Sequence, residues 1–295
     1  MTFSIAHLGP AGSYAEQAAI NYAHWFQSQQ GLEQLPILVA EPTITQTMYA
    51  IDEGKVDLAG VPVENSIEGG VSFTLDTLWK LKDVVIYEAF ILPINHMFIA
   101  QSNDLSSIEA VYSHPQALGQ CQTWLGEHVP QAQLIPSNST AEGLKFVRDN
   151  PRAGAIASER AANLNQLPIQ VRSIQDHREN CTKFWVFKKE AKPEWEEAQE
   201  HSPTHCSLAF IVPDNIPGAL LNPLTTFSQR QINLSRIESR PAKKALGDYV
   251  FFIDAEVKGR EQEFQSALEE LRENTRILKI FGTYPQVSIP HQEKI

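Results

Sequence analysis

The chain has 295 residues, 42% of them apolar and 20% charged, and its 24 Lys and Arg against 35 Asp and Glu give a formal net charge of −11. That length accommodates two or three domains around a substantial core, and an acidic balance without any Lys/Arg cluster excludes a nucleic-acid footprint. No apolar segment is long enough to span a bilayer, the N-terminus lacks a basic region and a long apolar run, and Cys121, Cys181 and Cys206 lack metal-ligand spacing, so a soluble cytoplasmic protein with reduced thiols and no metal is expected.

Residues 4–9 read as a short buried strand, followed by the turn Pro10-Ala11-Gly12 and a helix opened by Ser13 and running to about Trp25. Ser13 and Glu16 have capping-box spacing, which satisfies first-turn N–H groups from both ends. A strand follows at 36–40, a helix at 43–52 and a third strand at 56–63. The loop Glu64-Asn65-Ser66-Ile67-Glu68-Gly69-Gly70 is too polar and glycine-rich for a core, and it lies at a strand's carboxyl end, where open α/β sheets bind ligands.

The alternation continues. One or two strands occupy 84–100, broken near Pro93, and another covers 108–112. Ser113 and Gln116 repeat the capping-box spacing ahead of a helix to about Glu127, and Ser139 and Glu142 repeat it again after a short strand at 134–135. A small-residue strand at 153–157 leads to a helix from Ser158. Helix N-termini favour carboxylates, so several opening on one cleft suit a small acid as substrate. No dinucleotide glycine fingerprint or phosphate loop is present, and cofactor-free chemistry fits better.

Asn180-Cys181-Thr182-Lys183-Phe184-Trp185-Val186-Phe187 begins polar and ends as a β-rich run, with a hydroxyl and a cation adjacent at its mouth. A charged, proline-punctuated connector from Lys188 to His205 follows it. Beyond it, strands at 207–212, 232–237, 248–257 and 276–282 alternate with helical spacing at Leu220, Leu224 and Phe227 and at Phe264, Ala267, Leu268 and Leu271. The order βαββαβ is the ferredoxin-like arrangement. Pro223 implies that its first helix begins later than Gly218.

Several stretches together resemble the prephenate dehydratase family along nearly the whole chain. They are Gly9-Pro10-Ala11-Gly12-Ser13-Tyr14-Ala15-Glu16, Pro62-Val63-Glu64-Asn65-Ser66-Ile67-Glu68-Gly69, Ser113-His114-Pro115-Gln116-Ala117-Leu118-Gly119-Gln120-Cys121 and Asn180-Cys181-Thr182-Lys183-Phe184. Gly218-Ala219-Leu220 and Ile232 to Pro241 resemble that family's regulatory ACT domain. The resemblance implies a catalytic part at 1–188 built like a two-lobed periplasmic-type binding protein, a linker at 189–204, an ACT domain at 205–285 and a tail at 286–295. It implies conversion of prephenate to phenylpyruvate without a cofactor. It places Glu64, Asn65, Ser113, Gln120 and Thr182 among the catalytic residues and Ser13, Ser66, Lys183 and Phe184 on the substrate. In two places the chain departs from the family, with Lys183 for the usual arginine and Ser13 for the usual threonine.

Phenylalanine is the expected effector, with Gly218, Ala219, Leu220, Asn233, Glu238, Ser239 and Arg240 around it, and a homodimer or homotetramer is expected because ACT domains pair. Two other readings are an arogenate dehydratase and a non-catalytic amino-acid-sensing binding protein. On a regular strand neighbours point to opposite faces, so Thr182 and Lys183 share a cleft only at a loop or strand mouth. Glu64 either acts as an acid with a raised pKa or orients Asn65 and the loop. His114 is expected to serve the capping turn, and Cys121 and Cys181 to be buried, unreactive thiols.

Overall fold

Ser4–Leu8 (β1) pairs in parallel on both sides, with Ile37–Glu41 (β2) and Leu58–Asn65 (β3), in a computed structural model that describes residues 3–190, 202–213, 216–243 and 248–289. Tyr14–Gln30 (α1) and Ile44–Asp52 (α2) make the connections, each capped by the hydroxyl of the residue before it, Ser13 and Thr43. The chain turns back on β3 as Gly69–Gly70 (β4), then forms Ser72–Leu78 (α3) and Val84–Pro93 (β5).

A second lobe holds Met97–Ala100 (β6), Ala110–Ser113 (β7), Pro115–Gly119 (α4), Gln122–His128 (α5), Gln133–Pro136 (β8), Thr140–Asp149 (α6), Ala153–Ala157 (β9), Glu159–Leu164 (α7) and Ile169–Val171 (β10). The chain then returns to the first lobe as Cys181–Lys189 (β11), antiparallel between β3 and β5.

The last unit is His205–Ile211 (β12), Leu221–Gln229 (α8), Leu234–Pro241 (β13), Tyr249–Glu256 (β14), Glu261–Asn274 (α9) and Ile277–Tyr284 (β15), with strand order β13-β14-β12-β15. This is the ferredoxin-like order expected. Gln286–Val287 (β16) leaves it and pairs in parallel with β5, giving the first sheet the order β16-β5-β11-β3-β1-β2. The second lobe's sheet runs β10-β6-β9-β7-β8.

Two local expectations change, and the later start expected from Pro223 is met. The helix expected from Ser113 to Glu127 is two, because Cys121 leaves helical geometry at φ −127°, ψ 22°. Its cap is His114 rather than Ser113, which still belongs to β7. Helix α8 starts at Leu221, which places Pro223 in the first turn, where its missing N–H costs nothing. The connector expected at 189–204 lies mostly outside the described residues, as do Asp214 and Asn215.

The ferredoxin-like sheet has two dressed faces. One is covered by α8 and α9 through Leu208, Phe210, Phe227, Ile253, Phe264 and Leu271. The other is laid on the first lobe, so that Ala209, Ile211, Phe252, Phe281 and Tyr284 share one buried cluster with Val61, Leu75, Ile86 and Trp185.

Candidate active site

The chain passes between the lobes twice, at 94–96 and at 172–180, and the two passes are laced together. Ile94 N donates to Asn180 O at 2.8 Å, Ile174 N to His96 O at 2.9 Å and His96 N to Gln175 Oε1 at 3.0 Å. Polar side chains buried at this crossing therefore sit between the sheets rather than within either.

They form one continuous chain of hydrogen bonds. Tyr14 Oη meets His96 Nδ1 at 2.8 Å, and His96 Nε2 meets Gln120 Oε1 at 2.9 Å. Asn180 Nδ2 donates to the same Gln120 oxygen at 2.9 Å, and Asn65 Nδ2 donates to Asn180 Oδ1 at 2.9 Å and to Thr182 Oγ1 at 3.0 Å. Gln120 Oε1 only accepts, so the His96 proton belongs on Nε2 and Nδ1 is an acceptor. Burial pushes the His96 pKa down, which keeps the ring neutral. Burial, with the nearby Cys121, pushes the Tyr14 phenol well up, so it stays protonated.

Asn65 uses both ends of its amide. Its Oδ1 accepts from Ile67 N at 3.0 Å and Glu68 N at 3.1 Å, which fixes the turn after β3. Ser66 Oγ accepts from Cys181 N at 3.0 Å and ties that turn to β11. From the second lobe, Gln120 Nε2 donates to Glu68 Oε1 at 3.3 Å across the cleft.

Helix starts converge on Gly12, whose φ of +82° suits a residue without a side chain. A Cβ there would press on Ala161 of α7 at 3.1 Å and on Ala141 of α6 at 3.4 Å. Ser13, Ser139 and Ser158 each accept from an N–H in their own first turn, at 3.2, 3.1 and 3.0 Å. Ser158 Oγ also donates to Gly12 O at 2.9 Å. Glu16 accepts from Gly12 N at 2.7 Å and from Arg160 Nε at 2.9 Å. Burial alone would raise its carboxyl, but these two donors hold it below the ordinary value.

Several residues expected in the site lie elsewhere. Thr182 pairs with Asn65 and Lys183 with Glu64, so strand alternation turns the second pair away from the cleft. Lys183 Nζ instead lies 3.3 Å from Asp254 Oδ2 in the C-terminal unit. The contact expected with substrate is therefore replaced, in this structure, by one on the face of β11 opposite Thr182. Phe184 is 2% exposed and stacks on Phe90 with ring centroids 5.4 Å apart, so it supports the strand from below. Ser113 is fully buried and donates to Ile156 O at 2.6 Å, which spends its hydroxyl within the second lobe. Cys121 is buried with its thiol pKa pushed far up, whereas Cys181 is only half-buried.

The residues expected around an effector divide by strand face. Gly218, at φ +81°, precedes α8 with Ala219 and Leu220, and Ser239 pairs with Phe251 on the helix-covered side. Glu238 and Arg240 point the other way, to the catalytic lobe, where Arg240 Nε lies 3.2 Å from Asp76 Oδ1. Asn233 donates to Glu256 Oε1 at 2.8 Å. Sequence reasoning missed His96, Tyr14 and Glu68 as members of the site, and it passed over Asn180 although the motif contained it. Among the described residues no group of His, Cys, Asp or Glu is placed to hold a metal ion, and no helix is long and apolar enough to cross a membrane.

Comparison with known proteins identifies both parts of the chain. Residues 5–192 match the family model described as prephenate dehydratase, and residues 207–273 match the ACT domain. The chain is 36% identical to a prephenate dehydratase of Lactococcus lactis over 97% of its own length and 98% of the relative's. It is 38% identical to a bifunctional chorismate mutase/prephenate dehydratase of Aquifex aeolicus, over 96% of this chain and 73% of that one. Among solved structures, a prephenate dehydratase of Arthrobacter aurescens in complex with L-Phe superposes with a TM-score of 0.83 at 28% identity, covering 96% of this chain and 90% of the other.

Proposed function

The chain belongs to the prephenate dehydratase family, and on that footing we propose that it converts prephenate to phenylpyruvate and is controlled by phenylalanine through its C-terminal ACT domain. Prephenate carries a ring carboxylate and, opposite it, a ring hydroxyl. Loss of carbon dioxide from one and of the hydroxyl, protonated to water, from the other leaves an aromatic ring. One proton is consumed, and no electrons enter or leave.

The observation that carries this reading is the Asn65–Thr182 hydrogen bond. Thr182 Oγ1 accepts from the Asn65 amide, and among the described residues nothing accepts the threonine's own hydrogen. That hydrogen is available to the departing hydroxyl, and the bond from Asn65 orients it. A threonine hydroxyl is a weak acid, so its contribution is a hydrogen bond that strengthens as negative charge develops on the leaving oxygen. Neutral amides line the rest of the network, and the starts of α1 and α6 supply partial positive charge for the substrate's carboxylates.

For the regulatory part, the ACT match and the L-Phe complex of the Arthrobacter relative support phenylalanine as effector. The open backbone at Gly218 and the exposed Ser239 support a site on the α8 side of β13. Ile216 and Leu221 at the start of α8 and Ile237 on the edge strand β13 expose apolar side chains, which supports pairing of two copies through this unit. The test of the chemistry is Thr182→Ala beside Thr182→Ser. We expect the alanine variant to lose about 10²-fold or more in kcat with KM little changed and serine to restore much of it. Unchanged kcat in Thr182→Ala sinks the assignment. Rates with purified prephenate and arogenate decide between those two substrates.

A further inference from the structure

Strand β13 has two functional faces. Its odd residues, Ser235, Ile237 and Ser239, are exposed, while Arg236 is buried and Glu238 and Arg240 are half-buried. The even residues face the catalytic lobe, Arg236 at β11, Glu238 at β4 and Arg240 at α3. Arg236 pairs with Asp254 on β14, with Nε to Oδ2 at 3.0 Å and Nη2 to Oδ1 at 3.1 Å, and its guanidinium lies 4.9 Å from the ring of Trp185 on β11. Glu238 sits over Gly70, where any Cβ would collide with its carboxylate. Arg240 and Lys243 both reach Asp76 on α3, at 3.2 and 2.6 Å.

The catalytic side of this contact is the reverse of the active site. Glu64 is the ladder partner of both Lys183 and Gly70, while Asn65 is the ladder partner of Thr182 and Gly69. Paired residues share a face, so Glu64, Lys183 and Gly70 look toward β13 and the Asn65–Thr182 pair looks into the cleft. One peptide bond separates the two sets. The Arg236 guanidinium is also incompletely used. Its Nη1 is buried without a hydrogen-bond partner among the described residues, and Glu238 Oε2 stands 3.7 Å away. The Glu64 charge acts on it as well, adding to Asp254 in holding the guanidinium ionised against its burial.

We propose that Arg236 is a positioning residue for the dehydratase reaction, acting from the C-terminal domain on Glu64 and thereby on the Asn65–Thr182 hydrogen bond. It touches neither substrate nor reacting atoms. Asp254 aims it, Trp185 lies beside its guanidinium, and its Nη1, which makes no hydrogen bond among the described residues, stands 3.7 Å from Glu238 Oε2 on the side of the sheet that Glu64 faces. A small shift of β13 changes which carboxylate Nη1 serves, and so moves the turn that carries Asn65. Ser239 on the opposite face of the same strand gives an effector a direct mechanical route to that shift.

The test is a double-mutant cycle in the full chain, with kcat and KM measured on prephenate and thermal melts as a folding control. Arg236→Met keeps an unbranched side chain over Trp185 but removes the charge. We expect it to lower kcat about tenfold with KM within about threefold, and Arg236→Lys to cost about threefold, because an ammonium lacks the fork needed to serve two carboxylates. In a Glu64→Gln background both losses should shrink to less than about twofold, since the group Arg236 acts upon is gone. Unchanged kcat in Arg236→Met overturns the proposal, and so does a loss of equal size in both backgrounds. Should Arg236→Met fail to melt cooperatively, Arg236→Lys decides by the same two criteria. The inference rests on the dehydratase reading, and a wild-type chain inert toward prephenate refutes that reading alone. The Arg236–Glu64 coupling is then read from denaturant midpoints of the same six proteins, where additivity overturns it.

Discussion

Lys183 Nζ lies 3.3 Å from Asp254 Oδ2, while Thr182, the residue before it, faces the opposite side of the strand and receives the amide of Asn65. A single step along β11 therefore crosses from the candidate site to the domain boundary. Asp254 has no exposed side-chain surface. Burial would raise its carboxyl, but the charges of Arg236 and Lys183 with the Ser207 hydroxyl hold it below its ordinary value.

Lys183→Met should accordingly act on stability more than on substrate binding. Asp254 keeps Arg236 and Ser207, so the cost is less than that of orphaning a buried charge, about 1–2 kcal/mol. KM for prephenate should stay within about threefold of wild type. Denaturant titration and steady-state kinetics check both halves. A large rise in KM without loss of stability would return the lysine to the substrate.

A buried carboxyl far from the cleft gives a pH signature. Glu88 is pushed from the ordinary 4.5 up to about 7 by burial, although the Tyr22 hydroxyl donates to it and pulls the other way. The folded protein thus holds this proton where the unfolded chain releases it, so stability falls as pH rises from about 4.5 to about 7 and is level above that, a loss of about 3 kcal/mol at most. Glu88→Gln keeps an acceptor for Tyr22 and removes the ionisation. It should exceed wild type in urea midpoint at pH 8, with the gap closing toward pH 5. A gap independent of pH excludes Glu88 as its source.

Phenylalanine should inhibit, and variants on the two faces of β13 should separate binding from transmission. Ser239→Trp and Gly218→Val are expected to relieve inhibition with kcat largely intact, because they alter the helix-covered side. Glu238→Gln is expected to change kcat in the absence of effector, because its carboxylate rests on Gly70. To inhibit at all, phenylalanine must bind the low-activity arrangement more tightly than the active one. Initial rates against phenylalanine concentration test all three. Equal sensitivity in Ser239→Trp and wild type would move the effector site elsewhere.

Truncation after residue 204 looks harmless from the sequence, since it removes a separate βαββαβ unit. The structure changes that expectation. β16 forms the edge of the catalytic sheet, Trp185 Nε1 donates to Tyr284 Oη at 3.1 Å, and Phe252 and Phe281 complete a core that includes Val61 and Trp185. The shortened chain should melt about 10 °C lower or more, or aggregate. A melting temperature equal to the full chain would show that the shared core contributes little.

The sequence by itself determined many of the local elements and named three members of the buried polar chain. Capping serines before apolar helices, and β-branched runs ended by polar loops, act over a few residues, so β1, α1, β9 and the ferredoxin-like order were legible. Thr182, Asn65 and Gln120 were legible from motif resemblance. α3, β4 and β10 were not, because each is short and held by neighbours distant in sequence rather than by its own periodicity. The same reason hid Tyr14 and His96, which become partners only where the lobes cross. Only the tertiary structure decided which side of β11 is the cleft. Alternation says that Thr182 and Lys183 diverge, but the direction of each depends on what packs against the sheet. Here the helix-free face of the C-terminal sheet buries Lys183 against Asp254, which leaves Thr182 on the other face with Asn65.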